Sequence, residues 1–572
     1  MTENEKYKII DNNYFDILIK YSGSRELLLL HDDISIQILS DYGAVLYLPV
    51  SDDTTRLIAE YGYWAIPKCY SLNSRQSLEA SGVNRLRRIP SVGLRGRDVI
   101  VGIIDTGIDY TNPVFRHGDG TSKIIAIWDQ SIDSADRYPN AVYPTLYGTE
   151  YTSEQINLAL SSENPRQIVP STDEIGHGTM LAGIAAGSEN RENNFSGVVP
   201  DAELIVVKLK QAKKNLTDFF AIPQGVPCYQ ENDILWAIQY IIDKARILKR
   251  PLALCLGLGT SQGSHDNSGL LNTVVSIYGD AVNVAVSIAA GNESNSRRHF
   301  YSPVDPASGP IPVELNIGEN ESGFSLELWG EPPTIYSMDI LSPAGDYIPR
   351  ISELLEGSQR VSFIFDQTVI YADNIMIEEE TGKQLIILRF NNPTAGIWRF
   401  NVYGRGDLRG GFHLWLPSDN FLSKGTYFIR SNPYTTVTSP ANSIVPITVA
   451  AYDPNSGALY TDSGKGYSTS NILNPTLAAP GVNIQCPALD HSFTTVSGTG
   501  AAAAHTAGIT AMLLEWCVVD NNYPGVDTVG IKKFLIRGAK RNGNLQYPNQ
   551  SWGYGIIDVY NAFNILKADI QS

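Results

Sequence analysis

Val496-Ser497-Gly498-Thr499-Gly500-Ala501-Ala502-Ala503-Ala504-His505-Thr506-Ala507-Gly508 is the stretch that decides the fold of this chain. It has the pattern of a tight glycine turn that opens a helix of small residues, and apolar residues follow it directly. Small side chains let such a helix run through a crowded core. A glycine turn at a helix N-terminus also presents free backbone N–H groups to negative charge. The stretch therefore predicts a buried helix whose N-terminus borders a site.

Two motifs upstream place ionisable side chains beside glycines. The largely β-branched run 99–104 ends in Asp105-Thr106-Gly107, which predicts a buried parallel strand with a carboxylate at its C-terminal tip. Open α/β sheets place their sites at that edge, although Asp-Thr-Gly alone also occurs in plain turns. His177 lies between two glycines and opens another helix of small residues. This setting favours a catalytic base over a packed core histidine.

Strand and helix patterns alternate from residue 99 to residue 290 and again after residue 443. This alternation predicts an α/β fold with a parallel sheet covered by helices on both faces. Gly291-Asn292 is usually only a turn, but its place at the end of a strand makes Asn292 a candidate site residue. The predicted strands are 203–209, 251–258, 283–290 and 443–451, and the predicted helices are 232–248 and 271–278.

Residues 298–430 have a different pattern of short alternating strands separated by Gly, Pro, Asn and Asp turns. This pattern predicts a two-sheet antiparallel β-sandwich. Because the segment lies between Asn292 and Gly500, the sandwich is inserted into the α/β domain. The predicted strands are 312–317, 323–329, 336–341, 360–365, 368–375, 385–390, 397–403 and 411–416.

Residues 1–76 have the pattern of a small α+β unit. Strands are predicted at 34–39 and 44–50, a helix at 54–63, and a short helix at 77–86 that leads into the α/β domain. The pattern alone favours an ordinary N-terminal domain. The polar Asn73-Ser74-Arg75-Gln76 at its end suits a cleavable junction.

Composition excludes several functions for this 572-residue chain. A net charge of −17 argues against a nucleic-acid partner, because phosphate binding relies on a basic surface. The five cysteines are far apart and lack metal-ligand spacing, so we expect reduced, mostly buried thiols and no metal or other cofactor. The polar N-terminus predicts synthesis in the cytoplasm without a signal peptide, and no segment is expected to span a membrane.

Asp105, His177 and the turn at Gly500 occur in the chain order aspartate, histidine, nucleophile. In these residues the sequence resembles the subtilisin-like serine proteases, the S8 subtilases, over nearly its whole length. The resemblance implies that Asp105 orients the ring of His177 and that His177 takes a proton from a serine hydroxyl. It implies that the side chain of Asn292 and the backbone N–H at position 500 form an oxyanion hole.

The resemblance assigns three further features. Gly257, Leu258 and Gly259 stand in place of the usual Ser-Leu-Gly substrate-binding strand. His505 matches a structural histidine of the family and has no catalytic role. Residues 1–76 match the prodomain, which assists folding and inserts its tail into the active-site cleft.

The departures from the family pattern decide the mechanism. Gly500 stands where the family has its nucleophilic serine, so no acyl-enzyme is expected, and Ser497 and Thr499 are not expected to replace that serine. An engineered knockout is usually an alanine, whereas a glycine at a helix start is compatible with natural loss. Gly257 is a second departure, in the substrate cleft, and it favours the natural origin.

The pro-segment without a signal peptide, the sandwich and the loop 261–265 narrow the resemblance to the Csp subtilases of clostridial spores. That family processes a cortex-degrading hydrolase during germination and includes pseudoproteases. The implied domains are a prodomain (1–76), a subtilase domain in two parts (77–297 and 431–572) and an inserted jelly-roll-like sandwich (298–430). The implied partners are its own prodomain and another germination protein, and the implied location is the spore cortex or coat.

Three functions remain open at this point. The first is a pseudoprotease that keeps its prodomain uncleaved and regulates spore germination. The second is an active Csp-like endopeptidase represented by an inactive serine-to-glycine variant. The third is a non-enzymatic spore-coat protein whose sandwich binds a ligand, against the simpler interpretation that the sandwich only braces the fold.

Overall fold

The computed structural model describes residues 3–21, 35–39, 42–50, 57–72, 80–87, 93–133, 147–351, 357–363 and 367–571. An N-terminal unit comes first in the chain. Its elements are β1 (Tyr14–Lys20), β2 (Ser35–Ile38), β3 (Gly43–Pro49), α1 (Leu57–Tyr61) and β4 (Cys69–Leu72). β3 lies between β1 and β2 in an antiparallel sheet, whereas β4 leaves that sheet and pairs elsewhere.

The α/β part of the chain begins after the short helix α2 (Val83–Arg87). Its first strands and helices are β5 (Ile100–Asp105), β6 (Ile124–Asp129), β7 (Thr149–Thr152), α3 (Ser153–Leu160), α4 (Pro165–Ile168), α5 (His177–Ala186), β8 (Glu203–Lys208), α6 (Lys214–Phe219), β9 (Tyr229–Gln230), α7 (Glu231–Leu248), β10 (Leu252–Leu256), β11 (Leu258–Gly259), α8 (Leu270–Gly279) and β12 (Val284–Ala289).

A sandwich of two antiparallel sheets interrupts the α/β part. Its strands are β13 (His299–Val304), β14 (Ile311–Ile317), β15 (Gly323–Gly330), β16 (Ile335–Leu341), β17 (Tyr347–Ile348), β18 (Gly357–Ser362), β19 (Val369–Ile375), β20 (Gln384–Asn391), β21 (Gly396–Arg405), β22 (Gly410–Trp415) and β23 (Tyr427–Phe428). The strand orders are β13-β22-β15-β20-β19-β18 and β17-β16-β21-β14-β23. Apolar side chains from both sheets form one separate core.

The α/β part then resumes and completes the central sheet. The remaining elements are β24 (Ile447–Tyr452), β25 (Leu477–Pro480), β26 (Ile484–Pro487), β27 (Phe493–Val496), α9 (Thr499–Leu514), α10 (Thr528–Gly538) and α11 (Val559–Gln571). The eight-stranded sheet has the order β25-β24-β12-β10-β5-β8-β6-β7, and only the edge strand β7 is antiparallel. This is the predicted subtilisin-like α/β fold.

Residues 499–508 of the stretch quoted first form the beginning of helix α9, and every residue of that helix is buried. Small residues are needed there because neighbouring side chains come close. A Cβ atom built on Gly508 would lie 2.3 Å from the Cβ of Val198, so no larger residue fits without movement. The prediction of a buried helix opened by a glycine turn is confirmed.

The structure changes several sequence predictions. The helix expected at 77–86 is Val83–Arg87; residues 77–79 lie outside the described residues, and 80–82 form a turn in which Gly82 has a φ of +82°. The strand expected from Ser443 begins at Ile447, because Ser443 closes a turn by donating its N–H to Pro440 and Pro446 has no N–H to give. The sequence analysis predicted no strand at β1, β4, β6, β7, β9, β13, β17, β23, β25, β26 or β27.

We expected no segment long enough to span a membrane, but one helix is both long enough and apolar enough to do so. The segment Thr499–Val519 passes both criteria. However, 83% of its apolar window is buried inside the protein, as in the core helix of a folded domain. The cysteine prediction is confirmed, because all five thiols are buried and unpaired by disulfides.

One hydrophobic core joins the three parts of the chain. It combines Phe15, Ile17, Tyr63 and Ile66 of the N-terminal unit with Phe219 and Phe220 of the α/β part and Trp329, Leu385, Ile387 and Trp415 of the sandwich. Polar contacts reinforce it: the hydroxyl of Tyr63 donates to Glu327, and the indole N–H of Trp64 donates to Glu379 at 3.1 Å. The sandwich therefore braces the N-terminal unit against the α/β part.

Candidate active site

Asp105 and His177 form a direct buried pair. Asp105 is the last residue of β5 and is 0% exposed, and His177 is the first residue of α5 and is 5% exposed. The Nδ1 atom of His177 lies 2.6 Å from Oδ1 of Asp105, and the backbone N–H of Thr106 donates to the same oxygen at 2.8 Å. This geometry fixes the orientation of the imidazole.

The glycines around His177 are required by the backbone. Gly176 has a φ of +86°, which favours glycine, and a Cβ atom on Gly178 would lie 2.1 Å from the carbonyl oxygen of Gly107. The histidine therefore sits on a helix that begins in contact with the loop after β5. This close approach is the physical reason for the pattern that marked His177 in the sequence.

Asp173 is a supporting residue to which the sequence analysis gave no role. Its Oδ1 accepts the hydroxyl of Thr106 at 2.7 Å and the N–H of Gly176 at 2.8 Å, and its Oδ2 accepts the hydroxyl of Thr179 at 2.7 Å. The hydroxyl of Thr106 in turn accepts the N–H of Gly178 at 2.9 Å. These bonds hold the start of α5 against the end of β5. An acid four residues before His177 was the only available sequence signal.

Asn292 lies beside the turn that opens α9. Its Oδ1 accepts both the backbone N–H and the hydroxyl of Thr499, each at 3.1 Å, and Thr499 Oγ1 accepts the N–H of Gly291 at 3.0 Å. The carbonyl side of the amide is thus fixed, which orients its NH₂ group. Gly500 is the next residue of α9, and it carries no hydroxyl.

The predicted site residues lie at one edge of the sheet. Asp105 ends β5, and Gly257 and Asn292 come shortly after β10 and β12; the three strands are parallel neighbours in that sheet. A Cβ atom built on Gly257 would lie 3.4 Å from both Asp105 Oδ2 and His177 Cε1. The structure therefore brings Asp105, His177 and Gly257 together, and it joins Asn292 to the residue before Gly500.

Leu258 and Gly259 pair with the end of the N-terminal unit. β4 lies between β9 and β11 in a three-stranded antiparallel sheet, with Leu258 opposite Leu72 and Gly259 opposite Ser71. On the other side, Cys69 lies opposite Gln230. The strand expected to bind substrate is thus paired with a segment of the same chain. The junction 73–76 lies outside the described residues.

A polar cavity of about 490 Å³ opens beside Asn292 and Ser71. The sandwich and its connecting segments supply part of its wall. Its lining also includes Glu293, Asn295, Ser296, Arg297, Arg298, Asn420, Lys424, Tyr427, Tyr460 and Asp462. Among the residues that the structure describes, no group of three or more His, Cys, Asp or Glu side chains is arranged to hold a metal ion.

His505 is buried in α9 away from this chemistry. Its Nε2 atom lies 2.6 Å from the hydroxyl of Ser81, and burial lowers its pKa to about 3. A neutral ring that contacts the segment after the N-terminal unit fits the structural role predicted for it.

Comparisons with known proteins agree with this geometry. The model of the subtilase family, Peptidase S8, matches residues 96–312 and 423–555. The structure of the Clostridium perfringens CspB protease is similar with a TM-score of 0.75 and 28% identity, and the match covers 86% of this chain and 98% of that one.

Curated relatives are more distant in sequence. Subtilisin-like protease SBT1.3 of Arabidopsis thaliana is 23% identical over 538 residues, which cover 87% of this chain and 65% of that protein. Subtilisin-like protease PopC of Myxococcus xanthus is 24% identical over 236 residues, which cover 39% of this chain and 40% of that protein. The chain spans just under two thirds of the length of the plant relatives it matches, with 65% of SBT1.3 and 64% of SBT1.9 covered.

Proposed function

Because the chain belongs to the subtilase family, we propose that it is a pseudoprotease that keeps its N-terminal unit (residues 1–76) uncleaved and acts by binding. The observation that carries the proposal is Gly500 at the start of α9, beside the aligned Asn292 and Thr499. A glycine has no side chain, so no covalent acyl-enzyme forms at this position. Loss of the nucleophile in subtilisin, a known case, costs about 10⁶ in turnover.

The neighbouring hydroxyls are already engaged and do not replace the missing one. Thr499 Oγ1 donates to Asn292 and accepts from Gly291. Ser497 Oγ accepts the backbone N–H of Asn483 at 3.1 Å. Both side chains serve the turn itself, which supports the view that the site lacks a nucleophile.

The packing of the N-terminal unit supports its retention. β4 completes a sheet with β9 and β11 of the α/β part, and the unit shares a hydrophobic core with the sandwich and with α6. A segment that contributes to the core of the whole molecule is costly to release, because its departure exposes apolar surface on all three parts. In this proposal the tail therefore occupies the cleft permanently.

The biological setting of the proposal rests on the resemblance to the Csp subtilases. It makes the protein a regulator of bacterial spore germination, located in the spore, whose partner is another germination protein. The similarity to the CspB protease structure supports the Csp branch of the family. The partner would be held by surfaces outside the occupied cleft.

One observation favours a second candidate, an active Csp-like endopeptidase represented here by an inactive variant. The Asp105–His177 pair retains a 2.6 Å contact, and the amide of Asn292 is held in place. A serine codon at position 500 in the source gene would establish this candidate, and a glycine codon would exclude it.

Hydrolysis of casein and of fluorogenic peptides by the full chain tests the proposed function, with His177→Ala as the matched control. We expect the unmodified chain and His177→Ala to give the same rate, at least about 10⁵-fold below that of an active subtilisin-like enzyme. Turnover by the unmodified chain that disappears in His177→Ala would show that the site is catalytic and would overturn the proposal.

A further inference from the structure

We infer that Gly257 impairs this site independently of Gly500. A serine at position 257 would donate its hydroxyl to Asp105 Oδ2, and the side chain of Leu181 occupies the space that this serine would need. The inference rests on the proposed function, since it concerns what an active form of the same site requires. It makes position 257 a positioning residue that acts on His177 through Asp105. Restoring a serine at position 500 alone would then leave the site impaired.

The first observation is the uneven use of the Asp105 carboxylate. Its Oδ1 atom accepts both the His177 ring N–H at 2.6 Å and the Thr106 backbone N–H at 2.8 Å. No described residue donates to its Oδ2 atom, although the side chain is 0% exposed. Buried carboxylate oxygens normally have donors, because an ionised group without them is poorly stabilised away from water.

The second observation is the position of Gly257. A Cβ atom built there lies 3.4 Å from Asp105 Oδ2 and 3.4 Å from His177 Cε1. A serine at this position could rotate its hydroxyl towards Oδ2 within hydrogen-bonding distance. Thr106, the other hydroxyl next to Asp105, donates instead to Asp173. Position 257 is therefore well placed to supply the missing donor.

The third observation links Gly257 to Leu181. The same built Cβ atom would lie only 2.5 Å from Leu181 Cδ1. Leu181 is 1% exposed and lies one helical turn after His177 on α5, so its side chain packs on the same face. The side chain of Leu181 on α5 thus occupies the room that a side chain at position 257, between β10 and β11, would need.

The chemical consequence concerns the proton that His177 must accept from a nucleophile. The resulting imidazolium is stabilised by an ionised and correctly oriented Asp105. A hydroxyl donated to Oδ2 would stabilise the carboxylate and fix its rotation, since hydrogen bonds to charged acceptors are stronger than neutral ones. Without that donor, one carboxylate oxygen carries both hydrogen bonds that hold the pair.

Three full-length variants test the inference: Gly500→Ser alone, Gly500→Ser with Gly257→Ser and Leu181→Val, and Gly500→Ser with Gly257→Ala and Leu181→Val. The readout is the rate of labelling by a fluorophosphonate, which joins phosphorus to the hydroxyl oxygen of the serine introduced at position 500, releases fluoride and passes the hydroxyl proton to His177. We expect the variant with serine at position 257 to label about 10- to 100-fold faster than the other two.

The pH profile of labelling separates positioning from packing. A hydroxyl that donates to Asp105 Oδ2 changes the charge that this carboxylate presents to His177, so the midpoint of the pH profile is expected to differ between serine and alanine at position 257. Equal labelling rates with serine and alanine at position 257, whether fast or undetectable, would overturn the inference. Labelling of the unmodified chain that is lost in His177→Ala would instead contradict the proposed function.

Discussion

Replacing Asp16 with alanine is expected to lower the free energy of unfolding by about 3–5 kcal/mol and to weaken the docking of the N-terminal unit. Asp16 of β1 accepts Lys213 Nζ at 2.6 Å, Gln230 Nε2 at 2.7 Å and Asn232 Nδ2 at 2.9 Å. Its side chain and that of Lys213 are each only 3% exposed. Removing the carboxylate therefore leaves a buried ammonium without its counter-charge and takes one acceptor from each of two buried amides.

The measurement is urea unfolding of the full chain at pH 7, and the neighbouring residue provides a matched control. Lys214 pairs with Asp218 at 2.6 Å, but their side chains are 58% and 56% exposed. We expect Lys214→Met to change the unfolding free energy by less than about 1 kcal/mol. A similar small change in Asp16→Ala would show that the buried pair does not hold the N-terminal unit.

Lowering the pH from 6.5 to 5 is expected to destabilise the fold by about 2 kcal/mol for each buried histidine whose pKa is lowered by burial. Three of these histidines stack with Trp415 where the sandwich meets the α/β part: ring centroids of His265, His299 and His413 lie 4.3, 4.9 and 4.7 Å from that of Trp415. Burial lowers the pKa of His265 to about 4 and that of His299 to about 3. It also lowers the pKa of His413 well below its usual value.

The direction of the pH effect on stability follows from the unfolded chain, in which histidine has a pKa of about 6.5. Because the folded-state values are lower, only the unfolded chain takes up protons as the pH falls below 6.5. The contribution of these neutral histidines to stability is therefore fully present above pH 6.5 and is lost progressively as the pH falls towards 4 or 3. The contact of 2.9 Å between His299 Nε2 and His413 Nδ1 adds to this, since one ring must donate and the other accept.

The slope of stability against pH isolates the contribution of one ring. In His265→Gln we expect the slope between pH 6.5 and pH 5 to be smaller by about 1.4 kcal/mol per pH unit, whatever the stability of the variant at pH 7. Equal slopes in His265→Gln and the parent chain would contradict the buried-histidine explanation.

Local patterns predicted five of the eight strands of the central sheet and did not predict β6, β7 or β25. The strand that ends at Asp105, the helix that begins at His177 and the helix α9 depend on short-range rules: β-branched runs, glycine turns and small residues. The resemblance then related Asp105 to His177 across the intervening chain. Their direct contact in the structure is the arrangement that the resemblance implied.

Long-range partners could not be predicted in the same way. β4 has too few residues to show a period, and it becomes a strand only because β9 and β11 flank it. His299 and His413 meet Trp415 through the pairing of β13 with β22, and His265 reaches the same stack from a loop of the α/β part. Leu181 reaches the site only because Gly257 has no side chain. Such contacts are set by tertiary packing.

The proposed pseudoprotease leaves the bond to its N-terminal unit uncut because position 500 has no hydroxyl. The most direct test is the intact mass of the purified full-length chain after prolonged incubation, beside His177→Ala. A single species of 62.7 kDa that is stable in both samples is the predicted result. A fragment cut near Arg75-Gln76 that forms in the unmodified chain and is absent from His177→Ala would contradict the claim.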